Sequence, residues 1–283
     1  MIGIIGGTSL GQALGALGGK PTHVDTPFGP PSSLMLAQVE GINVALIARH
    51  GLGHTTPPSA VNYRANIWAL KALGAKVVLA SSAVGSLREE IKPGELCIPD
   101  QVIDKTFRRV STFFDELAVH VELGTPFCAV MRQKLLAHAS AAGTKVHAGG
   151  TYVCMEGPAF STRAESELHR AWGAQLIGMT VMPEAKLARE ASLCYATVSL
   201  PTDYDCWREP EANLSKQKLL EEIRHNLGLG TERALKLLKA ALPAAKAHGE
   251  GDCECRHALD HAVFTDRTAL SPAVKTKLQL LIG

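Results

Sequence analysis

Two aspartates one residue apart, Asp203 and Asp205, close the apolar run Ser192 to Leu200 in the segment LPTDYDCW. Past a strand end, side chains at i and i+2 can point the same way, so the two carboxyls repel each other unless a proton or a ligand lies between them. One carboxyl is therefore expected to hold its proton above the ordinary range. A purine satisfies such a pair, because it has a ring nitrogen to protonate and an exocyclic amine that donates. The same two residues also suit a turn and an N-cap ahead of a helix beyond Asn213, and other segments decide between the readings.

Three further strand ends carry groups that bind anions. Gly3, Gly6, Gly7 and Thr8 form G-I-I-G-G-T after an apolar run, where backbone amides and a hydroxyl can approach phosphate closely. The spacing is not the G-x-G-x-x-G of a dinucleotide fold. Arg49 and His50 follow the second run, Arg offering a bidentate fork and His a donor. Ser81, Ser82, Ala83, Val84 and Gly85 follow the third as a small hydroxyl loop. Converging on one sheet edge, these groups make a cradle for a dianion without a metal. His50 and His54 are four apart, but Pro57 and Pro58 argue against the helix that a metal-binding pair would need.

Two more loops complete the set. MEGPAFSTRAE, Met155 to Glu165, runs through a Gly-Pro turn into a helix capped near Ser161 or Thr162 and sets Phe160 against a flat ring. IGMTVMPEA, Ile177 to Ala185, presents Met179 to a sugar and the Thr180 hydroxyl to phosphate before a helix expected to begin at Pro183.

The elements that position these loops alternate along the chain. Apolar runs bounded by Gly or Pro read as strands at Ile2 to Ile5, Val44 to Ala48, Val77 to Ala80, Leu96 to Ile98, Val146 to Val153, Leu176 to Met179 and Tyr195 to Leu200. Helical periodicity marks Ser59 to Leu73, Val130 to Ala142, Arg163 to Trp172, Pro183 to Ala191 and Ser215 to Ala241. The pattern predicts an α/β fold, a single domain with a twisted, mostly parallel mixed sheet covered by helices on both faces and with its chemistry at the strand ends. The expected division is a main domain at 1–243 and, at 244–283, a linker, Ala244 to Gly251, with a small helical tail packed on that domain.

With 283 residues, 46% hydrophobic and 20% charged, the chain has the makeup of a globular protein that buries a full core. Its formal charge of +2 comes from scattered residues, so no basic block points to nucleic acid or a membrane surface. No apolar stretch reaches membrane-span length, and the start lacks the basic residues of a signal peptide, which makes the cytoplasm the expected compartment. Seven cysteines lie singly in apolar segments, apart from Cys253 and Cys255. With His257 and His261 these two resemble a short metal-ligand cluster, but a C-x-C has only one intervening residue, fewer than zinc pairs usually have. A redox pair, free thiols, or a disulfide to a residue such as Cys194 is the expectation, with no metal.

The motifs GIIGGT, DTPFG, ARHG, VNYRANIWALK, AVGSLREEIKPGE, DQVIDKT, EGPAFSTRAES, MTVMPEA and TDYDCW, in this order, resemble those of the 5′-methylthioadenosine phosphorylases within the trimeric purine nucleoside phosphorylase family. The resemblance runs from Ile2 to about Leu242, and the C-x-C tail is similar to that of some archaeal members. It implies phosphorolysis of 5′-methylthioadenosine with inorganic phosphate as co-substrate, no cofactor, and a homotrimer with sites at subunit interfaces. Carried over residue by residue, it implies phosphate binding by Thr8, Arg49, His50, Ser82, Ala83 and Thr180. It places Met179 under the ribose, Phe160 and Ser161 at the purine, and Asp203 and Asp205 at the ring nitrogen and the amine, with Asp203 as catalytic acid. His120 is implied to close over the ribose 5′ substituent of a neighbouring subunit. Members acting on 6-oxopurines carry Glu and Asn where this chain has Ser161 and Asp203, so both positions imply adenine. Two departures stand out: Lys216 replaces an apolar residue of the 5′ pocket, with Leu220 one turn on retained, and Ser82 replaces a Thr. The first leaves adenosine or 5′-deoxyadenosine as alternative substrates, and a 6-oxopurine nucleoside phosphorylase is the next alternative.

Overall fold

The structure, a computed structural model, describes residues 1–7, 13, 18–208 and 215–283. Thr8 falls outside the described residues, as does the side chain of Lys216.

Eleven strands form one mixed sheet: β1 (Ile2–Gly6), β2 (Lys20–Pro21), β3 (Ser33–Val39), β4 (Ile42–Ala48), β5 (Val77–Ser86), β6 (Leu96–Ile98), β7 (Gln101–Lys105), β8 (Val146–Ala148), β9 (Thr151–Met155), β10 (Leu176–Gly178) and β11 (Cys194–Asp203). Six helices are described: α1 (Tyr63–Ala72), α2 (Ala129–Ala137), α3 (Arg163–Ala171), α4 (Val181–Glu190), α5 (Lys216–Glu250) and α6 (Pro272–Ile282).

Strand β5 is the hub. Its first half pairs in parallel with β1, its far end pairs antiparallel with β10, and β11 runs parallel along its other edge from Cys194↔Val77 to Asp203↔Gly85. The end of β5 is thereby flanked by the ends of β10 and β11. Alternate residues of the central strands enter opposite cores: Val77 and Leu79 pack under α5 with Leu237, Leu238 and Ala241, whereas Val78 and Ala80 join Ile67, Leu70 and Leu187. Gly3 is what lets α1 settle on the second face, since a Cβ there would lie 2.9 Å from Leu70 Cδ1.

Several expected boundaries shift. The hydroxyl stretch Ser81 to Gly85 is strand rather than loop, because β11 pairs along all of it and β10 joins the other edge at Gly85. Asp203 is correspondingly the last residue of β11 and not part of a free loop. Gly149 and Gly150, both at positive φ, split the expected strand Val146 to Val153 into β8 and β9. Helix α4 spans Val181–Glu190, but Met182 is extended at φ −113°, ψ 137°, so its regular turns run from Pro183 onward. The stretch 244–250, expected as a linker, continues α5 through Pro243. Beyond it, Leu259, Ala262, Val274 and Leu278 of the tail are buried in the α1 and α4 core.

Candidate active site

A chamber of about 520 Å³ opens where β4, β5, β10 and β11 end, and α5 closes it from above with Ile223 and Leu227. Arg49, His50, Ser82, Ala83, Met179, Thr180, Phe160, Asp203 and Asp205 all line it. Five separate segments thus converge on one space, as the strand-end reading expected.

The floor is a chain of hydroxyls. Thr180 stands at the N-cap of α4 but makes no side-chain capping bond, so its hydroxyl is left for Ser82, with Oγ1 3.1 Å from Ser82 Oγ. Ser82 Oγ is also 2.9 Å from the fully buried Tyr152 Oη. Gly178 makes this possible, because any Cβ there would overlap the Tyr152 phenol.

Arg49 behaves differently from the expectation. Its fork is taken by the buried carboxylate of Glu184, Nε to Oε2 at 2.7 Å and Nη2 to Oε1 at 2.9 Å, while Nη1 donates to Ser81 O at 3.1 Å. Tyr195 Oη donates to the same Glu184 Oε1 at 2.7 Å. The guanidinium therefore lines the chamber with its remaining N–H edges rather than as an open bidentate clamp. His50 is also committed: Nδ1–H donates to Thr56 O at 2.8 Å, which fixes the tautomer because a carbonyl only accepts. Burial, with the charge of Arg49 adding to it, pushes the imidazole down to about 4. A neutral His50 offers Nε2 as an acceptor, where a donor was expected.

Asp203 is half-buried, with Oδ2 accepting from Thr202 Oγ1 at 2.7 Å and Oδ1 from the Asp205 N–H at 2.7 Å. Burial raises its pKa, and the Asp205 charge adds to that, outweighing the two hydrogen bonds that favour the anion. Thr202 Oγ1 also lies 3.3 Å from Val84 O, so the hydroxyl can turn its single proton there when Asp203 is protonated. Asp205 sits at φ 50°, and its Oδ2 is buried without a hydrogen-bond partner. A Cβ at Gly85 would come within 3.3 Å of Asp203 Oδ1 and 3.2 Å of Asp205 Cβ, so glycine keeps this corner open.

Other expected residues stand apart from the chamber in this chain. Ser161 is half-buried beside it, its carbonyl accepting from Cys206 Sγ at 3.2 Å. Leu220 is 51% exposed and does not line the space, the apolar contacts coming instead from Ile223 and Leu227 on the same helix. His120 is exposed, with its ring edge-on to Phe264 at 5.2 Å. Sequence reasoning missed Glu184, and also Arg109, whose guanidinium ties Met179 O and Met182 O to Glu156 O and so fixes two chamber loops to each other. A charged residue inside the otherwise apolar start of α4 was the available sign for Glu184.

The fold and the strand-end chamber define a class, and the model of the Phosphorylase superfamily matches residues 1–243, so the chain belongs to that family. It is 44% identical over 286 residues to an S-methyl-5′-thioadenosine phosphorylase of Geobacter sulfurreducens, covering 100% of this chain and 98% of that protein. A solved methylthioadenosine phosphorylase sourced from an antarctic soil metagenomic library superposes with a TM-score of 0.90 at 43% identity, over 100% of this chain and 98% of that one. A mutant adenosine/methylthioadenosine phosphorylase from Schistosoma mansoni, solved in complex with methylthioadenosine, gives a TM-score of 0.80 at 36% identity, over 93% and 98% of the two chains.

Proposed function

We propose that this phosphorylase cleaves 5′-methylthioadenosine with inorganic phosphate, releasing adenine and 5-methylthioribose 1-phosphate. The observation that carries the reading is Asp203, a carboxyl whose pKa is raised, in the wall of a chamber whose floor is the Ser82 and Thr180 hydroxyls with Arg49 beside them. Phosphate oxygen attacks the anomeric carbon as the bond to the purine N9 breaks, the bonding pair goes to the purine, and Asp203 delivers its proton to the ring nitrogen at position seven. The dianion's charge stabilises the developing oxocarbenium character, and Asp205, with one oxygen unpartnered, accepts from the exocyclic amine. Thr8, His50, Ala83, Met179, Phe160 and Ser161 complete the phosphate, sugar and base contacts in this reading. It calls on no cofactor.

Assembly as a homotrimer with shared sites belongs to the same proposal. Phe160 at the chamber mouth is 81% exposed, and Phe107, Val110 and Phe264 expose apolar surface as well, the kind of surface a neighbouring subunit covers. His120 and Leu220, exposed in one chain, are assigned to such a shared wall. The cytoplasm is the proposed compartment, supported by seven unbridged thiols; no described helix is long and apolar enough to cross a membrane.

The test is adenine release by purified protein from 5′-methylthioadenosine, adenosine, 5′-deoxyadenosine and inosine, with and without phosphate. Phosphate-dependent release, fastest from the methylthio nucleoside, is expected. Preference for adenosine makes the Lys216 departure decisive, preference for inosine moves the specificity to 6-oxopurines, and release independent of phosphate makes the enzyme a hydrolase.

A further inference from the structure

Four sulfur and nitrogen donors that the sequence scatters over four segments meet at the end of β11 remote from the chamber. Cys128 caps α2, Cys194 opens β11, His248 stands in the last turn of α5, and Cys253 precedes the short 3-10 turn Glu254–His257. One ligand atom from each lies within 4.8 Å of all the others. Cys128 Sγ is 3.9 Å from Cys253 Sγ and 3.6 Å from His248 Nε2. Cys128, Cys194 and His248 are buried and Cys253 is half-buried. His257, which the sequence grouped with the cysteines, is paired instead with Asp252 and Asp260 and takes no part.

We infer that Cys128, Cys194, His248 and Cys253 form a structural metal site that takes zinc(II). An ion with bonds of about 2.3 Å to sulfur and 2.0–2.1 Å to nitrogen holds its ligand atoms roughly 3.5–3.8 Å apart in a tetrahedron. The Cys128–His248 and Cys128–Cys253 separations, 3.6 and 3.9 Å, fall in or just above that range, and the remaining pairs are no farther apart than 4.8 Å. A closed set of three thiolates and one imidazole, with no open position, is the composition of structural rather than catalytic zinc, and thiolates select it over hard cations. The buried Cys255 thiol adjoins the set, hydrogen-bonded to those of Cys128 and Cys194, and pairing of these sulfurs as disulfides is the alternative that thiol titration tests. As the ion binds, three S–H protons leave and three metal–sulfur bonds and one metal–nitrogen bond form, giving a site of net charge −1. Arg256 stands ready for that charge: its guanidinium donates to the carbonyls of His248 and Gly251, and its Nε is buried without a partner.

Such an ion ties the tail and the end of α5 to α2 and to the start of the central strand. Cys194 and Asp203 occupy opposite ends of β11, nine residues or about 30 Å apart along the strand, so the ion acts on stability and not on the chemistry. Full-length protein, reduced and stripped with a chelator, is expected to bind one zinc(II) per chain and to melt at a higher temperature when loaded. Cobalt(II) as probe is expected to give the intense visible bands of a tetrahedral site and an ultraviolet sulfur-to-cobalt transition. His248→Ala should weaken zinc binding by more than the roughly 10–100-fold that losing an outer-shell partner already causes, with the kinetic constants unchanged. If that variant fails to fold, the cobalt spectrum of the unmodified protein decides alone. Substoichiometric zinc binding, an octahedral cobalt spectrum, or thiol titration showing that Cys128, Cys194 and Cys253 purify as disulfides and bind no zinc once reduced would overturn the inference.

Discussion

Arg49 and Glu184 meet through two parallel hydrogen bonds, at 2.7 and 2.9 Å, with side chains 1% and 0% exposed. A guanidinium placed this deep beside a chamber for an anion needs a permanent countercharge, and Glu184 supplies it from the first turn of α4. The pair fixes the direction of the remaining Arg49 N–H groups, so positive charge reaches the chamber as a rigid edge. Geometry gained in this way costs some of the net attraction for phosphate, because Glu184 already neutralises much of the cation.

Removing that countercharge gives the first prediction. Glu184→Gln leaves Arg49 buried and uncompensated, which destabilises by about 3–5 kcal/mol. If Arg49 faces the phosphate site, the dianion replaces part of the missing charge, and the gap in melting temperature to the unmodified protein narrows in phosphate relative to chloride at equal ionic strength. A gap independent of the anion would separate Arg49 from phosphate binding.

Asp203→Asn is expected to lower kcat by about 100 to 10,000-fold, because an amide cannot hand a proton to the leaving base. The Michaelis constant for phosphate should stay close to its original value. Since the acid form is the active one and burial raises its pKa, activity attributable to Asp203 is full at lower pH and fades as pH rises through that raised value. The same sign holds for stability: the folded state binds this proton more tightly than the unfolded chain, so stability falls over the same rise. Full turnover by Asp203→Asn would take the residue out of the mechanism. Combined with Ser161→Glu, the variant should gain weak cleavage of inosine.

Much of this site was legible because strand ends in an α/β chain announce themselves: an apolar run stops and a Gly, Arg, Ser or Asp follows. Arg49, His50, Ser82, Thr180 and Asp203 were all found in that way, and they share one chamber. What stayed hidden depends on pairing that no local pattern records. Ser81 to Ser86 looks like a loop because its residues are small and polar, yet β11 along one edge and β10 at the far end of the other hold it as strand. Gln101–Lys105, a polar edge strand, gave no apolar run at all. Pro243 and the Ala- and Gly-containing stretch after it suggested a linker, whereas Ala is the best helix former and packing of Leu242 and Ala245 carries α5 past the proline. His248 belongs to no cysteine spacing, so its place beside Cys128 could come only from the fold.

His50 supports a prediction about anion choice. Its Nδ1–H is spent on Thr56 O, and burial keeps the ring neutral at pH 7, so Nε2 can only accept. Monohydrogen phosphate carries a hydroxyl to give to such an acceptor, and sulfate at that pH carries none. Sulfate should therefore compete weakly with phosphate, and His50→Gln, which can turn an amide N–H toward the anion, should strengthen sulfate inhibition relative to the phosphate Michaelis constant. Equal ratios in the two proteins would mean that Nε2 does not touch the anion.

Gly178→Ala tests the floor of the chamber without touching a charged group. The new methyl group would overlap the Tyr152 phenol, and Tyr152 is completely buried, so the ring has to move or the end of β10 has to lift. Overpacking of this kind costs about 1–3 kcal/mol. Either movement breaks the 2.9 Å contact between Tyr152 Oη and Ser82 Oγ and frees Ser82 and Thr180 to rotate. The expected result is a lower melting temperature together with a raised Michaelis constant for phosphate, while the constant for nucleoside changes less, since Asp203 and Asp205 sit on the other edge of β5. Steady-state kinetics with each substrate varied in turn check this; an equal rise in both constants would show that the hydroxyl chain has no particular tie to phosphate.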